Sequence, residues 1–450
     1  EAALLRSIRT ADENDDGSSG WIARHRLGRR WLDAGRVDEA RVLLDEALER
    51  LEGVDEGLDP LGEGLYVMRG RSNAYVDAAR AARDDPDRIW DIASKITGRA
   101  LRGQGVLDEA PPLTTVRAQL AADEAILLLL DGDPGLSMLV HRDGVRVESV
   151  PGFDDGALGS GSAALTDALP FCSPFHSRID PSALAICPAV DAAFGSLRSL
   201  SNTETIWIVP TGIWTRWPFA AMPWHGGSRF GERFAYAILP TTGHPPAANR
   251  GASIAAVHLL GPPTFSVDDE WAPLPFAARE VSRLAEIWGE RARVVSGDAL
   301  RPAVLDALDD APVGLIHLAT HAVASTTDPR DNGIVLSDAE RYGLDAVLQR
   351  RLSGATVVLS ACRTADGERV PGQGRLGLAW AFQLAGASWV VATHDAVDDE
   401  ATSEAMVAFH RALQEGHDPP QALRRVRRAF STAGRSVQDT SVLDVYGRPR

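Results

Sequence analysis

The chain has 450 residues, of which 44% are hydrophobic and 24% are charged. This length exceeds one typical domain, so we expect two or three folding units with room for a sizeable core. The formal net charge of −16 argues against direct binding to nucleic acid, because phosphate contacts need clustered Lys and Arg. Protein or peptide partners fit this composition better.

The cysteine count and the length of the apolar runs indicate the cellular compartment of the protein. Cys172, Cys187 and Cys362 are too few for a disulfide framework, which favours a reducing compartment. No stretch approaches 18 uninterrupted apolar residues, and the N-terminus has no charged-then-apolar signal pattern. We therefore expect a cytoplasmic protein that makes no contact with a membrane.

The first 60 residues carry a helical repeat. Residues 27–48 (LGRRWLDAGRVDEARVLLDEAL) predict two amphipathic helices around a turn at Gly35. Apolar and small residues fall at the spacings of a tetratricopeptide repeat: Leu27, Gly28, Trp31, Ala40, Leu44 and Ala47. Arg24 and Glu52 stand where the usual Trp and Pro of that repeat would be. Because the chain opens on Glu1 inside an amphipathic turn, we interpret this repeat segment as truncated.

Helical periodicity continues over residues 63–105, as a linker or cap. Two readings of the N-terminal helices stay open, a plain support or a peptide-binding array. After residue 112 the pattern changes to strand-length runs separated by turn signals, AILLLL (125–130), LSMLV (136–140) and VRVESV (145–150), which predict a β-meander. ALAICP (183–188) and TIWIVP (205–210) predict further buried strands.

From about residue 251, apolar strands alternate with helices. Such alternation is typical of a mostly parallel sheet covered by helices on both faces. The predicted strands are IAAVHLL (254–260), RVVS (293–296), GLIHLA (314–319), IVLS (334–337), ATVVLSA (355–361) and SWVVAT (388–393). The predicted helices cover 276–288, 302–308, 376–384, 400–413 and 419–430.

Two of these strands end in residues that could carry chemistry. GLIHLA leads to His321, and ATVVLSA leads to Cys362. A functional crevice lies beyond the carboxyl ends of strands in an open α/β sheet, and a histidine there can accept the proton of a neighbouring thiol. Either residue alone is more often structural, but the two in corresponding positions predict acyl transfer by a thiol.

Two other motifs are weaker. His317 and His321 form an H-x-x-x-H, but on a strand they are about 13 Å apart, so His317 is expected to be a packed strand residue. Gly372, Gly374 and Gly377 spell G-x-G-x-x-G, yet they lie ten residues beyond the preceding strand instead of in the turn directly after it. We expect neither a metal nor a cofactor.

The motifs in combination resemble one family. HLATHA, NGIVLSD, VVLSACRTADG, GQGRLGLAWAFQLAGASWVVAT and VDDEATSEAM follow one another as in the CHAT family of bacterial caspase-like proteins, relatives of caspases and separases. IVPTGIWTRWPFAAMP resembles the inactive caspase-like half that precedes the catalytic half in that family. The resemblance covers roughly residues 61–450.

The resemblance implies an α/β architecture, a caspase-like and mostly parallel sheet flanked by helices. The expected units are a TPR-like repeat (1–60), a helical linker (61–118), a pseudo-caspase subdomain (119–250) and a caspase-like catalytic subdomain (251–450). His321 would be the general base and Cys362 the nucleophile. Backbone amides at Ala322 and Cys362 would bind the oxyanion.

The chain departs from the family pattern at two positions: Ala322 replaces the usual Gly, and Asp395 replaces the usual Trp. Asp395, Asp398 and Asp399 are candidates for a substrate pocket that selects a basic side chain, although Asp398 or Asp399 could instead cap the following helix.

The implied function is regulated cleavage of protein substrates by a cysteine endopeptidase, in a bacterial defence (antiviral) or cell-death pathway, with a regulatory protein bound by the TPR-like helices. The alternative is an inactive CHAT/TPR scaffold for protein–protein interaction.

Overall fold

A computed structural model describes residues 1–55, 71–97, 109–152, 187–224, 227–243, 254–265, 271–310, 314–325, 328–352, 354–361, 364–365, 367–370, 374–394 and 399–447. Within these ranges, no helix is both long and apolar enough to cross a membrane.

The N-terminal part is helical, as expected. Its helices are α1 (Ala2–Glu13), α2 (Gly17–Asp33), α3 (Val37–Asp55), α4 (Ser72–Ala81), α5 (Pro86–Ile96) and α6 (Leu113–Gln119). The carboxylate of Asp16 caps α2 by accepting a hydrogen bond from the backbone N–H of Ser19, and Asp85 caps α5 in the same way just before Pro86.

Helices α2 and α3 form the helix pair that the repeat pattern predicts. The turn between them contains Gly35, whose positive φ of 79° favours glycine. Gly28 lies so close to α3 that an added Cβ would come within 2.7 Å of Leu44 Cγ. Leu27 and Leu44 are fully buried, so the apolar stripe of the pattern is the contact face.

Within the described ranges, the strands form one large sheet and two small ones. In chain order they are β1 (Glu124–Leu130), β2 (Gly135–His141), β3 (Gly144–Val150), β4 (Thr205–Pro210), β5 (Ala235–Ile238), β6 (Val257–Leu260), β7 (Ala292–Val295), β8 (Leu315–Ala319), β9 (Ala322–Val323), β10 (Gly333–Val335), β11 (Arg341–Gly343), β12 (Thr356–Ser360), β13 (Glu368–Val370), β14 (Gly374–Leu376), β15 (Trp389–Thr393) and β16 (Leu443–Gly447). The large sheet has 11 strands in the order β3-β2-β1-β4-β5-β16-β15-β12-β8-β6-β7.

The large sheet consists of two parallel blocks that run in opposite directions. Strands β15, β12, β8, β6 and β7 are mutually parallel, as are β1, β4, β5 and β16. The blocks meet where β15 pairs antiparallel with β16, and the meander β1–β2–β3 forms one edge. The C-terminal strand β16 therefore joins the two halves into one sheet.

Helices cover this sheet. They are α7 (Cys187–Phe194), α8 (Phe230–Arg233), α9 (Pro275–Trp288), α10 (Pro302–Asp306), α11 (Leu344–Leu348), α12 (Leu378–Leu384), α13 (Asp399–Gln414), α14 (Pro419–Thr432) and α15 (Gln438–Ser441). Strand side chains of β1, β4, β8 and β12 are almost wholly buried, which matches their near-continuous apolar sequence. The mostly parallel α/β architecture expected from the sequence is confirmed.

Three local expectations need correction. The IVLS run forms β10, which belongs to a small antiparallel sheet with β9 and β11 and not to the large sheet. Cys187, near the end of the ALAICP run, begins helix α7, while residues 183–186 lie outside the described ranges. Strands β5 and β16 were not predicted.

Candidate active site

The strands that precede the two catalytic candidates are neighbours in the sheet. β8 and β12 are parallel and in register from Leu315 with Thr356 to Ala319 with Ser360. His321 follows Ala319 by two residues, and Cys362 follows Ser360 by two residues. β8 and β12 thus end at the same edge of the sheet and at the same height; Cys362 itself lies outside the described residues.

The residues that flank Cys362 in the chain, Ala361 and Thr364–Ala365, are hydrogen-bonded to the end of β15. The Thr393 hydroxyl donates to the carbonyl oxygen of Ala361 at 2.6 Å, and the Thr393 carbonyl accepts from the backbone N–H of Ala365 at 2.8 Å. The N–H of Thr393 donates to the Thr364 hydroxyl at 3.1 Å. Thr364 and Thr393 are both buried, so water does not compete for these hydrogen bonds. The bonds fix the residues on either side of Cys362.

His321 is half-buried between two aromatic rings. Its ring centroid lies 5.4 Å from that of Phe265 and 5.2 Å from that of Trp271. The carbonyl oxygen of Ala272 lies 2.7 Å from Nε2 of His321. The loop between β6 and α9 therefore holds the imidazole on two sides.

The contact with Ala272 assigns the proton positions of a neutral His321. A carbonyl oxygen can only accept, so Nε2 carries the hydrogen and Nδ1 keeps its lone pair. The backbone of His321 is also fixed, since its carbonyl oxygen accepts from the N–H of Val335 at 2.9 Å. The arrangement leaves Nδ1 as the basic nitrogen.

The candidate oxyanion residue Ala322 begins β9. It is opposite Ile334 in the pair formed with β10, and its side chain is half-buried. The hydroxyl of Thr320 donates to the carbonyl oxygen of Val335 at 2.8 Å, which fixes the chain just before His321. The role of the Ala322 amide stays a prediction.

The pocket candidates are less completely described. Asp395 and Asp398 lie outside the described residues. Asp399 is the first residue of α13 and is half-buried. A carboxylate in the first turn of a helix is stabilised by the exposed backbone N–H groups there. Both roles of Asp399, in a substrate pocket and at the helix terminus, stay predictions.

His317 is confirmed as a packed strand residue. It is fully buried, with Nε2 at 2.7 Å from Glu280 Oε1 and Nδ1 at 3.1 Å from His410 Nε2. Trp288 Nε1, which can only donate, lies 2.8 Å from His410 Nδ1. The three hydrogen bonds therefore all donate in the same direction: Trp288 donates to His410, His410 donates to His317, and His317 donates to Glu280. Burial and the nearby His317 lower the pKa of His410 well below its ordinary value.

The sequence reasoning missed four residues of this site. Phe265 and Trp271 belong to a stretch without periodicity. Thr364 belongs to a motif in which only Cys362 attracted attention, and Thr393 ends a run that was interpreted only as a strand. Aromatic residues in a Pro-rich loop and hydroxyls at strand ends are the signals that could have indicated them. In the part of the chain that the structure describes, no group of three or more His, Cys, Asp or Glu side chains is placed to hold a metal ion.

Solved structures with little sequence identity are similar to this chain. Separase of Saccharomyces cerevisiae, in its complex with securin, has a TM-score of 0.53 and 8% identity, over 100% of this chain and 40% of separase. The Arg-specific cysteine proteinase gingipain R has a TM-score of 0.39 and 10% identity, over 61% of this chain and 68% of its own. The complex of the RgpB pro- and mature domains from Porphyromonas gingivalis has a TM-score of 0.39 and 11% identity, over 64% and 77%.

The likeness to separase concerns the fold, and this chain spans two fifths of the separase chain. The sheet of this chain, with helices on its faces, matches the fold of separase. No curated protein matches the sequence. The family model of the CHAT domain matches residues 183–441, which is more than half of the chain and includes both candidate residues. This chain belongs to the CHAT domain family.

Proposed function

We propose that this chain is a cysteine endopeptidase in which His321 is the general base and Cys362 the nucleophile. The observation that supports the proposal is the register of β8 with β12, neighbouring parallel strands that end two residues before His321 and two residues before Cys362. A neutral His321 with its proton on Nε2 offers Nδ1 as the base. The hydrogen bonds of Thr393 hold Ala361 before the proposed nucleophile and Thr364 after it.

The proposed reaction has two stages. Nδ1 of His321 takes the proton of the Cys362 thiol, and the sulfur attacks the scissile carbonyl carbon. The carbonyl oxygen becomes an anion that the backbone amides of Cys362 and Ala322 would bind. The peptide C–N bond then breaks, and His321 returns the proton to the leaving amine. A water molecule, deprotonated by His321, cleaves the thioester and restores the thiol.

Specificity and partners are part of the same proposal. Asp395, Asp398 and Asp399 would bind a basic side chain of the substrate through charge. The helices α1–α3 would bind a regulatory protein, and substrate cleavage would serve a bacterial defence or cell-death pathway in a reducing compartment. Helices α1–α3 and the edge of the sheet lie far apart in the sequence. We therefore propose that each binds a partner of its own.

The test is proteolysis by the purified chain with and without the nucleophile. A proteome-derived peptide library is incubated with the chain and with Cys362→Ala, and new termini are identified by mass spectrometry. We expect cleavage that Cys362→Ala abolishes and that Cys187→Ala retains. Equal cleavage by the chain and Cys362→Ala would remove the assignment.

A second measurement does not need a substrate. The rate of Cys362 alkylation by iodoacetamide is followed against pH, with Cys187 as the reference in the same molecule. A base beside the thiol shifts the reactive thiolate to lower pH than the ordinary cysteine value of about 8.5, and His321→Gln should return it. An inert Cys362 in the wild-type chain would favour a binding scaffold.

A further inference from the structure

Four buried polar side chains form a network beside the end of β15. They are His394, which directly follows that strand, Asp444 of β16, Tyr236 of β5 and Arg427 of α14. Their exposed fractions are 8%, 2%, 0% and 4%. A buried carboxylate such as that of Asp444 is costly unless hydrogen bonds and opposite charges compensate it.

The carboxylate of Asp444 is the centre of the network. Its Oδ2 lies 3.0 Å from Nδ1 of His394, and its Oδ1 accepts from the hydroxyl of Tyr236 at 2.5 Å. Nη2 of Arg427 donates to the Tyr236 hydroxyl at 3.0 Å and lies 3.8 Å from Oδ1 of Asp444. Burial raises the pKa of Asp444, but the hydrogen bond from His394 and nearby positive charge outweigh this effect and hold the pKa below its ordinary value. Asp444 is therefore ionised at neutral pH.

The contact with Asp444 assigns the hydrogen-bonding role of the His394 ring. A carboxylate oxygen can only accept, so Nδ1 of His394 carries the hydrogen. Nε2 is buried and has no hydrogen-bond partner among the residues that the structure describes. The hydrogen bond from Nδ1 to Asp444 is thus the one that orients this ring.

His394 ties the end of β15 to its neighbour β16. The backbone N–H of His394 donates to the carbonyl oxygen of Val442 at 3.0 Å, and its side chain donates to Asp444. Asp444 is itself part of β16 and lies opposite Ala392 in the antiparallel pair of the two strands. A backbone bond and a side-chain bond therefore fix His394 to the same strand.

The residue before His394 makes the contacts on the other side of β15. The hydroxyl of Thr393 donates to the carbonyl oxygen of Ala361, and the carbonyl oxygen of Thr393 accepts from the N–H of Ala365. Ala361 and Ala365 flank Cys362 in the chain. The end of β15 is thus held between β16 and the residues on either side of the proposed nucleophile.

We propose that His394 and Asp444 are a pair of positioning residues for the proposed peptidase, on which this inference rests. Asp444 orients His394, and His394 keeps the end of β15 in place, so that Thr393 can bind the residues that flank Cys362. The pair acts through Thr393 and does not touch the substrate. A pre-organised nucleophile is worth the cost of a buried charge, because small displacements of reacting groups slow catalysis strongly.

Hydrogen–deuterium exchange of the full chain tests this geometry without a substrate. The N–H of Ala365 bonds to the carbonyl oxygen of Thr393, so its protection, measured by mass spectrometry, reports on the end of β15. We expect His394→Leu to speed this exchange at least about tenfold, because local opening becomes easier. His394→Asn should keep the protection of the wild type, since Nδ2 of asparagine takes the place of Nδ1 and can donate to Asp444. Unchanged protection in a folded His394→Leu would overturn the proposal.

The kinetics of a peptide that the wild-type chain cleaves give a second readout. We expect kcat to fall about tenfold in His394→Leu with little change in KM, because a displaced nucleophile affects the transition state more than substrate binding. His394→Asn should restore most of the kcat. Asp444→Asn keeps the shape of the side chain and should lower kcat as well, and it replaces His394→Leu if that variant does not fold. Adding Asp444→Asn to His394→Leu should lower kcat no further, because residues that act as a pair are not additive.

His258→Leu is the matched control. His258 lies on β6, is also 8% exposed and does not belong to the network. This variant should keep both the protection of Ala365 and the wild-type kcat. An equal loss of kcat in His258→Leu and His394→Leu would overturn the positioning role, because it would show a general effect of removing a buried histidine.

The two readouts separate this inference from the proposed function. A wild-type chain that cleaves no peptide would refute the peptidase assignment alone. Faster exchange at Ala365 in His394→Leu, with protection retained in His394→Asn, would still support the role of the pair in that chain. Cleavage by the wild type with equal kcat in a folded His394→Leu would overturn the positioning role and leave the peptidase assignment in place.

Discussion

The hydroxyl group of Thr393, at the end of β15, donates a 2.6 Å hydrogen bond to the carbonyl oxygen of Ala361, at the end of the neighbouring strand β12. Ala361 directly precedes Cys362 in the chain. The bond therefore couples one strand end to the position of the proposed nucleophile, and it is enclosed where water does not compete.

Replacing Thr393 tests this coupling. Thr393→Val keeps the shape but leaves the Ala361 carbonyl without its donor, so we expect kcat to fall roughly 10- to 100-fold as the nucleophile shifts. Thr393→Ser keeps the hydroxyl and should retain activity. The kcat and KM for a peptide cleaved by the wild-type chain are the measurements, and unchanged kcat in a folded Thr393→Val would contradict a positioning role.

The ring of Trp271 offers a test at the base. Trp271→Ala removes one of the two aromatic contacts of His321 and loosens the loop that supplies the Ala272 carbonyl, so we expect kcat to drop about tenfold with little change in KM. The pH profile of Cys362 alkylation should move toward that of a free cysteine. Trp271→Phe keeps a ring and serves as the control, and a Trp271→Ala profile that matches the wild type would count against the assignment.

The buried His410 makes stability depend on pH. Burial and His317 hold its pKa well below the ordinary value in the folded chain, whereas in the unfolded chain it takes up a proton near pH 6.5. The unfolded state therefore binds more protons below pH 6.5, and the free energy of unfolding falls as the pH falls, by at most about 1.4 kcal/mol per pH unit for this group. The stabilisation is fully present above pH 6.5.

Urea unfolding between pH 7.5 and pH 5 measures that slope. His410→Gln should reduce it, and His141→Gln, at the end of β2 and away from the Trp288–Glu280 network, should not. An identical slope in His410→Gln and the wild type would show that other groups cause the dependence.

Replacing glycine with alanine should change stability in opposite directions at two positions of the N-terminal helices. Gly28→Ala places a Cβ 2.7 Å from Leu44 Cγ, and overpacking of about 1–3 kcal/mol should outweigh the gain of up to about 1 kcal/mol in helix propensity. Gly53→Ala in α3 meets nothing within 4 Å and should stabilise by about 0.5–1 kcal/mol. Thermal unfolding of both variants checks the signs, and a stabilising Gly28→Ala would contradict close packing of α2 on α3.

Local sequence pattern predicted the elements well where the period is unambiguous. The apolar runs of β1 and β8 and the helix 276–288 all appear within a few residues of their predicted ends. The pattern missed β5, which has two Ala among four residues and lacks a β-branched run, and β16, in which Asp444 and Gly447 interrupt the apolar residues. It also misplaced β10, because an apolar run does not specify which sheet a strand joins.

The sequence by itself determined the family, the alternation of strands and helices, and the two candidate residues that each follow a predicted strand, because these depend on residue type and on spacing along the chain. Only the tertiary structure decided that β8 and β12 are adjacent and in register, that Trp271 and Phe265 enclose His321, and that Thr393 holds Ala361. Those contacts join residues that are far apart in sequence. Chain folding brings these residues together, and the local periodicity of apolar residues does not predict such contacts.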